Sequence, residues 1–298
     1  MVYFVLALMG IAELITENPV AFFAITLFVA FLLNSYFSSS KESDETTTSG
    51  QAAAEEEEPE PPKDFTPAQL RKFNGVPDPN AGAHDPIGSK VYVALKGEVF
   101  DVTVGANFYG PDGPYHMFAG RDASRCLAKM CFDEEALENP SLDDCNTLEL
   151  EQIDEWVNKY KYMKNYPVVG RLTTPPARRP MTVEEIVPFN GAGEVPEGRV
   201  NPPIYLAVNN KVFDVSFGGI SGGFEMYKPG ATYNLFAGKD ASRALAKMSF
   251  DAEHVDSRDL SGLSDDERKV MVDWETRFEN RNCYPIVGDL EPWQPKSS

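Results

Sequence analysis

The chain has 298 residues, 42% of them hydrophobic, and a formal net charge of −19 at pH 7. That length suits two domains of about 100–150 residues each plus additional segments. The charge argues against a nucleic-acid partner, whose phosphates such a surface repels. The three histidines, His84, His116 and His254, are too few and too scattered for a zinc site.

In chain order, the first feature is apolar. Residues 20–37 carry no charged side chain, with Asn18 placed to cap a helix and Pro19 suited to its first position. About 18 apolar residues are the minimum for a membrane-spanning helix, so the pattern predicts a helix over about 19–37 within an N-terminal anchor, residues 1–37. A cleaved signal peptide is the rival reading. Against it, no basic region precedes the apolar stretch and no small-residue cleavage site closes it. Lys41 lies on the C-terminal side, and the positive-inside rule then puts the rest of the chain in the cytosol. Cys126, Cys131, Cys145 and Cys283 agree, since they show no CxxC spacing and no pairing between halves. Residues 38–63 are rich in Ser, Thr, Glu and Pro, with an unbroken acidic run at 55–58, and read as a disordered acidic tether.

The remainder is organised by an internal repeat. Residues 118–133 read FAGRDASRCLAKMCFD and residues 236–251 read FAGKDASRALAKMSFD, identical at 13 of 16 positions. The same offset relates Trp156 to Trp274 and Gly170 to Gly288. Upstream the offset falls by five, because the second copy carries an insertion in the glycine-rich stretch 218–224, which is expected to form a surface loop. The predicted units run over 64–172 and 181–290, joined by a stiff proline-rich linker at 173–180 and followed by a tail at 291–298. Each copy opens with a hairpin, 91–95 with 98–102 turning at Lys96-Gly97, and 204–208 with 211–215 turning at Asn209-Asn210. Short helices follow, one beginning near Asp122 or Asp240, whose carboxylate can take free backbone N–H groups. Capping boxes at Asn146/Glu149 and Ser264/Glu267 start longer helices. Their apolar faces carry Ile153, Trp156 and Tyr160 in one copy and Val270, Trp274 and Phe278 in the other. Core packing is the expected role of both tryptophans.

Between hairpin and capped helix each copy holds a Gly/Pro loop with two tyrosines six residues apart, Tyr109 and Tyr115 in YGPDGPY, Tyr227 and Tyr233 in YKPGATY. Loops of this kind on a rigid scaffold commonly carry binding sites.

The run YGPDGPY, then FAGRDASR, a Trp-bearing helix and finally Tyr166-Pro167-Val168-Val169-Gly170, resembles the membrane-associated progesterone receptor family, a branch of the cytochrome b5-like fold. The likeness covers each copy, whereas the family usually carries one such domain. It implies an α+β fold class, with two tandem cytochrome b5-like domains after an N-terminal transmembrane helix. It implies haem b as cofactor, with Tyr115 and Tyr233 as tyrosinate ligands to the iron, Tyr109 and Tyr227 as their hydrogen-bond partners, and Tyr166 and Tyr284 lining the site. The family's lysine before that last tyrosine is replaced by Asn165 and Cys283, which removes a cation able to pair with a propionate. The second copy also has Lys228, Ala231 and Thr232 where the first has Gly110, Gly113 and Pro114, so the residues favour haem in the first domain over the second. No HPGG motif is present, and tyrosine is an established haem ligand type. His116 is an alternative ligand beside Tyr115, but Asn234 stands at its place in the second copy.

The functional expectation is a single-pass protein of the endoplasmic reticulum or another endomembrane, its domains cytosolic. It would deliver haem to, or regulate, partners such as haem-thiolate monooxygenases of sterol metabolism. A steroid- or lipid-binding receptor and a haemless tandem adaptor are the alternatives. No nucleophile–base pair, metal cluster or phosphate loop repeats between the copies, so a binding protein is expected rather than an enzyme.

Overall fold

Alternation decides the sheets. In Tyr92-Val93-Ala94-Leu95 successive side chains must point to opposite faces, and all four are apolar and buried, so this strand is covered on both sides. The computed structural model describes residues 61–77, 87–220, 222–255 and 257–291, which belong to one compact body holding two sheets, the first and second units below. The apolar segment 20–37, most of the tether, His84 and the tail beyond Glu291 lie outside the described residues. Among the described residues no helix is long and apolar enough to cross a membrane.

The first sheet contains β1 (Lys63–Phe65), β2 (Tyr92–Leu95), β3 (Glu98–Asp101), β4 (Arg121–Asp122) and β5 (Val168–Leu172), in the order β1-β5-β3-β2-β4. The second contains β6 (Arg179–Met181), β7 (Tyr205–Val208), β8 (Lys211–Asp214), β9 (Lys239–Asp240) and β10 (Ile286–Leu290), in the order β6-β10-β8-β7-β9. Both mix a central antiparallel hairpin with parallel outer pairings. Lys63, expected in the tether, is already in β1, and Arg179 and Pro180, expected in the linker, are already in β6.

The hairpins turn where expected, with positive φ at Lys96 and Gly97 and at Asn209 and Asn210. Two consecutive left-handed residues match the right-handed twist of the strands. Gly170 is required for closure of the first sheet, because a Cβ there would sit 1.9 Å from the Lys63 carbonyl oxygen.

Among the described residues ten helices accompany the strands: α1 (Pro67–Leu70), α2 (Ala106–Tyr109), α3 (Ser124–Lys129), α4 (Glu134–Glu138), α5 (Thr147–Asn158), α6 (Val183–Ile186), α7 (Gly223–Tyr227), α8 (Ser242–Ala246), α9 (Ala252–Val255) and α10 (Asp265–Thr276). Asn146 and Ser264 cap α5 and α10 in full capping boxes. The carboxylates of Asp122 and Asp240 each accept the backbone N–H of the serine opening α3 and α8, at 3.0 Å. Ile153 and Tyr160 lie in the first core with Trp156 packed against it, and Val270, Trp274 and Phe278 are buried in the second unit.

The insertion in the second unit is not a surface loop. Phe217, Gly218 and Gly219 are buried, and Ile220 packs against the cluster of Phe65, Leu70, Phe73, Tyr92, Ala94 and Val99 on the far face of the first sheet. A Cβ on Gly219 would lie 2.7 Å from the Phe65 ring, so glycine lets the backbone itself cover that ring. The reason is apolar surface: of the first unit's helices only the short α1 reaches that cluster, through Leu70, and the insertion completes the layer.

Polar groups lock the contact. Gln69 is fully buried; its Nε2 donates to the carbonyls of Phe217 (3.1 Å) and Asn282 (3.0 Å), while its Oε1 accepts from Thr66 N. Asp64, also fully buried, accepts from the backbone N–H of Val200 (2.9 Å) and Asn201 (3.1 Å). Arg199 joins the two units. It reaches Asp64 (3.3 Å) and Asp214 (2.8 Å), donates to Ser216 Oγ (2.7 Å), and stacks 4.2 Å over the Phe217 ring. Burial works against its charge, but Asp214 and Asp64 more than offset this and raise its pKa.

Candidate functional site

The turn Thr103–Gly105 feeds α2, which ends on Tyr109 with its ring buried. The following loop closes tightly: Tyr115 N donates to the Phe108 carbonyl (2.9 Å), and a Cβ on Gly113 would lie 2.3 Å from that same oxygen. The loop carries Tyr115 outward, leaving its side chain 37% exposed while Tyr109 and Tyr166 are 8% and 7% exposed. His116 donates from Nδ1 to the Gly113 carbonyl (2.9 Å).

Four aromatic rings converge in the first unit. Tyr109 lies 6.1 Å from Tyr115, 6.4 Å from Tyr166 and 6.1 Å from Tyr160 between ring centroids. The hydroxyl of Tyr160 donates to that of Tyr109 at 2.8 Å. Sequence reading placed Tyr160 only on an apolar helix face; its polar role depends on a π-helical turn, Lys159–Met163, that brings it under Tyr109. Burial lifts the Tyr109 phenol above its ordinary pKa, and the Tyr160 hydrogen bond pulls it partly back. Burial likewise raises Tyr160 and Tyr166. Tyr115 stacks on the buried Phe118 (6.0 Å) and the exposed Phe132 (6.1 Å).

The second unit brings the expected residues together in a related way. Tyr227 ends α7, and Tyr233 N donates to the Met226 carbonyl at a longer 3.3 Å. The Tyr227 and Tyr233 rings are 5.9 Å apart, and Tyr233 stacks on Phe236 (6.5 Å) and near Phe250 (6.1 Å). Tyr284 is buried against Phe278 at 5.4 Å. Phe278 stands where the first unit has Tyr160, so Tyr227 has no equivalent hydroxyl donor, and burial holds its pKa well above the ordinary value. Burial also raises Tyr233, with Arg277 pulling it down. Arg277, in the turn Arg277–Arg281, was not singled out by the sequence; its signal is the Lys159-to-Arg exchange between copies.

The donor set can be tested against a haem. Three of the four phenols in the first cluster are buried and neutral by their raised pKa values, and Tyr115 alone among them reaches solvent. A single accessible phenol, beside a phenol pair joined by a hydrogen bond, could supply one oxygen donor to a haem iron. The residues present fit the group.

The first unit has relatives among known proteins. The family model of the cytochrome b5-like heme/steroid binding domain matches residues 66–173, and the second unit lies outside the matched range. Membrane-associated progesterone receptor component 2 of Homo sapiens is 44% identical over 115 residues, 38% of this chain and 46% of that protein. The cytochrome P450 regulator dap1 of Schizosaccharomyces pombe is 42% identical over 130 residues, 41% of this chain and 71% of that protein. Probable steroid-binding protein 3 of Arabidopsis thaliana is 42% identical over 111 residues, 37% of this chain and 99% of that protein. The chain thus spans about half the length of the progesterone-receptor-component relative and nearly all of the plant one. With its α+β sheet, tyrosine loop and these relatives, this chain belongs to the cytochrome b5-like haem/steroid-binding family.

Proposed function

We propose that the chain is a membrane-anchored haem-binding regulator built from a tandem duplicate of cytochrome b5-like domains, 64–172 and 181–290. The single observation that carries the haem reading is the first cluster, where Tyr115 faces outward while Tyr109 is buried and held by Tyr160 at 2.8 Å. Tyr115 would hold the iron, Tyr109 would bear on it, and Tyr166 would close the inner wall. When bound, a haem with an anionic oxygen ligand supplies a ferric-stabilised centre rather than a fast electron carrier. The protein's part is to orient the phenol by the Gly113 loop, to keep Tyr109, Tyr160 and Tyr166 protonated, and to exclude water behind them. Tyr233, with Tyr227 and Tyr284, is the corresponding second site.

Regulation of a monooxygenase in sterol metabolism is the favoured role, because one relative is named a cytochrome P450 regulator. Anchoring in an endomembrane by residues 19–37, with the domains in the cytosol, is part of this reading, as is the absence of catalysis by the chain itself. Steroid binding in the same place is the second reading, favoured by the plant relative's name.

Haemin titration of the full chain in detergent tests the proposal. A Soret band is expected, and Tyr115→Phe should weaken it while far-ultraviolet circular dichroism is unchanged. No band in the unmutated chain would leave the haemless adaptor. Displacement of a labelled sterol without any Soret band would select the steroid reading.

A further inference from the structure

Gln69 closes the capping box of α1, where its Oε1 accepts from Thr66 N at 3.2 Å. Glutamine or glutamate can do this, and Glu185 does it at the same place in the second unit. Only the amide has hydrogens to give, and in Gln69 both are used. Its Nε2 donates to the Phe217 carbonyl at 3.1 Å and to the Asn282 carbonyl at 3.0 Å, inside a fully buried contact. Two carbonyls of the other unit therefore explain why position 69 carries glutamine and position 185 glutamate.

Those carbonyls lie on the two segments that carry the second tyrosine cluster. After Phe217 the insertion loops back on itself, since a Cβ on Gly223 would lie 2.1 Å from the Gly218 Cα. Gly223 opens α7, and α7 ends on Tyr227. Beyond Asn282 the chain passes through Cys283, at a φ of 49°, to Tyr284, whose N–H donates to the Phe278 carbonyl at 3.0 Å. One amide nitrogen thus ties the approach to Tyr227 to the turn carrying Tyr284. Among the described residues the first unit shows no counterpart: Val104 and Lys164, at the places of Phe217 and Asn282, are both exposed, Val104 by 86%.

A ligand site keeps its geometry only when the segments bearing its side chains are themselves held. We propose that Gln69 is a positioning residue of the second tyrosine cluster, so that the second unit's ligand site is complete only with the first unit packed against it. This rests on the reading of that cluster as a haem site. The duplication then yields one self-contained site with a free rim and one whose rim is held by its neighbour.

Haemin titration of the full chain in detergent separates the sites: Tyr115→Ala leaves the second and Tyr233→Ala leaves the first. Gln69→Leu is expected to weaken haemin binding about tenfold at the second site, the worth of one or two hydrogen bonds, and to leave the first unchanged. Gln69→Glu adds a pH signature. Its carboxylate has no hydrogen to give, whereas the protonated acid donates to one carbonyl, and burial lifts that protonation above the ordinary carboxylic range. The affinity lost at the second site in Gln69→Glu, relative to the Tyr115→Ala parent, should therefore be regained as pH falls from about 9 to about 6. Should Gln69→Leu fail to fold, Gly219→Ala loosens the same joint, because its Cβ would sit 2.7 Å from the Phe65 ring, and it too should weaken the second site alone. Equal affinity with and without Gln69, equal loss at both sites, or a loss indifferent to pH overturns the inference while leaving the haem reading intact. No Soret band in the Tyr115→Ala chain removes haem from the second cluster, and the inference falls with it.

Discussion

The two tyrosine clusters occupy equivalent places on sheets of the same strand order, yet they are polarised differently. In the first, Tyr109 is held from below by the Tyr160 hydroxyl. In the second, Phe278 removes that donor and Arg277 brings a charge to the side. A buried phenol can be stabilised by a neutral hydrogen bond or by a nearby cation, and each unit uses a different one. The units also differ in dependence. The second sends its insertion across the first sheet, and Gln69 of the first holds carbonyls at Phe217, next to the insertion, and Asn282, two residues before Tyr284. The first unit thereby positions both the segment leading to Tyr227 and the turn carrying Tyr284.

The largest effect on this asymmetry is expected from Arg199→Met. It strands Asp64 and Asp214 in a buried interface, and loss of one partner of such a network costs about 3–5 kcal/mol. Urea denaturation measures it, and adding Asp64→Asn should recover part of the loss; full stability of the single variant would show that the two units do not lean on each other.

Gln69→Glu comes next. It keeps the oxygen that caps α1 but sets a carboxylate against two carbonyls, with an expected loss of about 1–3 kcal/mol. Hydrogen exchange should quicken around residues 217–223 and 282–284 and stay unchanged at α5. In the second unit the corresponding residue is Glu185, which caps Thr182 and pairs with Arg179 at the surface, so Glu185→Gln should be nearly neutral.

The smallest effect tests the clusters directly. Tyr160→Phe gives the first cluster the second's composition and should cost about 1 kcal/mol, with the Tyr109 pKa rising further because a bond that favours its phenolate is lost. Since the buried phenols ionise less readily folded than unfolded, both proteins should lose stability as pH climbs above about 10, the ordinary tyrosine value. Ultraviolet difference titration of the phenols follows this, and a Tyr109 pKa that fell in the variant would refute the assigned hydrogen bond.

Much of this was legible in the linear chain because it is local. Hairpin turns at Lys96-Gly97 and Asn209-Asn210 depend on two residues each, and capping boxes on four. The tyrosine pairs, six residues apart in a short loop, are near one another in any fold that closes the loop. The repeat extended each local pattern to a second instance, and with it the expectation of two matching units. What the chain order could not show is contact between residues far apart in it. Gln69 lies 148 residues from Phe217 and 213 from Asn282, and Asp64 lies 135 from Arg199. An insertion rich in glycine reads as a solvent loop because loops usually are; only the packed structure reveals an incompletely covered face on the first sheet, which the Gly219 backbone and Ile220 fill. Sequence determined two equivalent scaffolds with tyrosines in equivalent places, since those follow from short-range geometry. Tertiary structure decided that the scaffolds are unequal, one supporting the other, because burial and charge pairing across a sheet face are set by which distant surfaces meet.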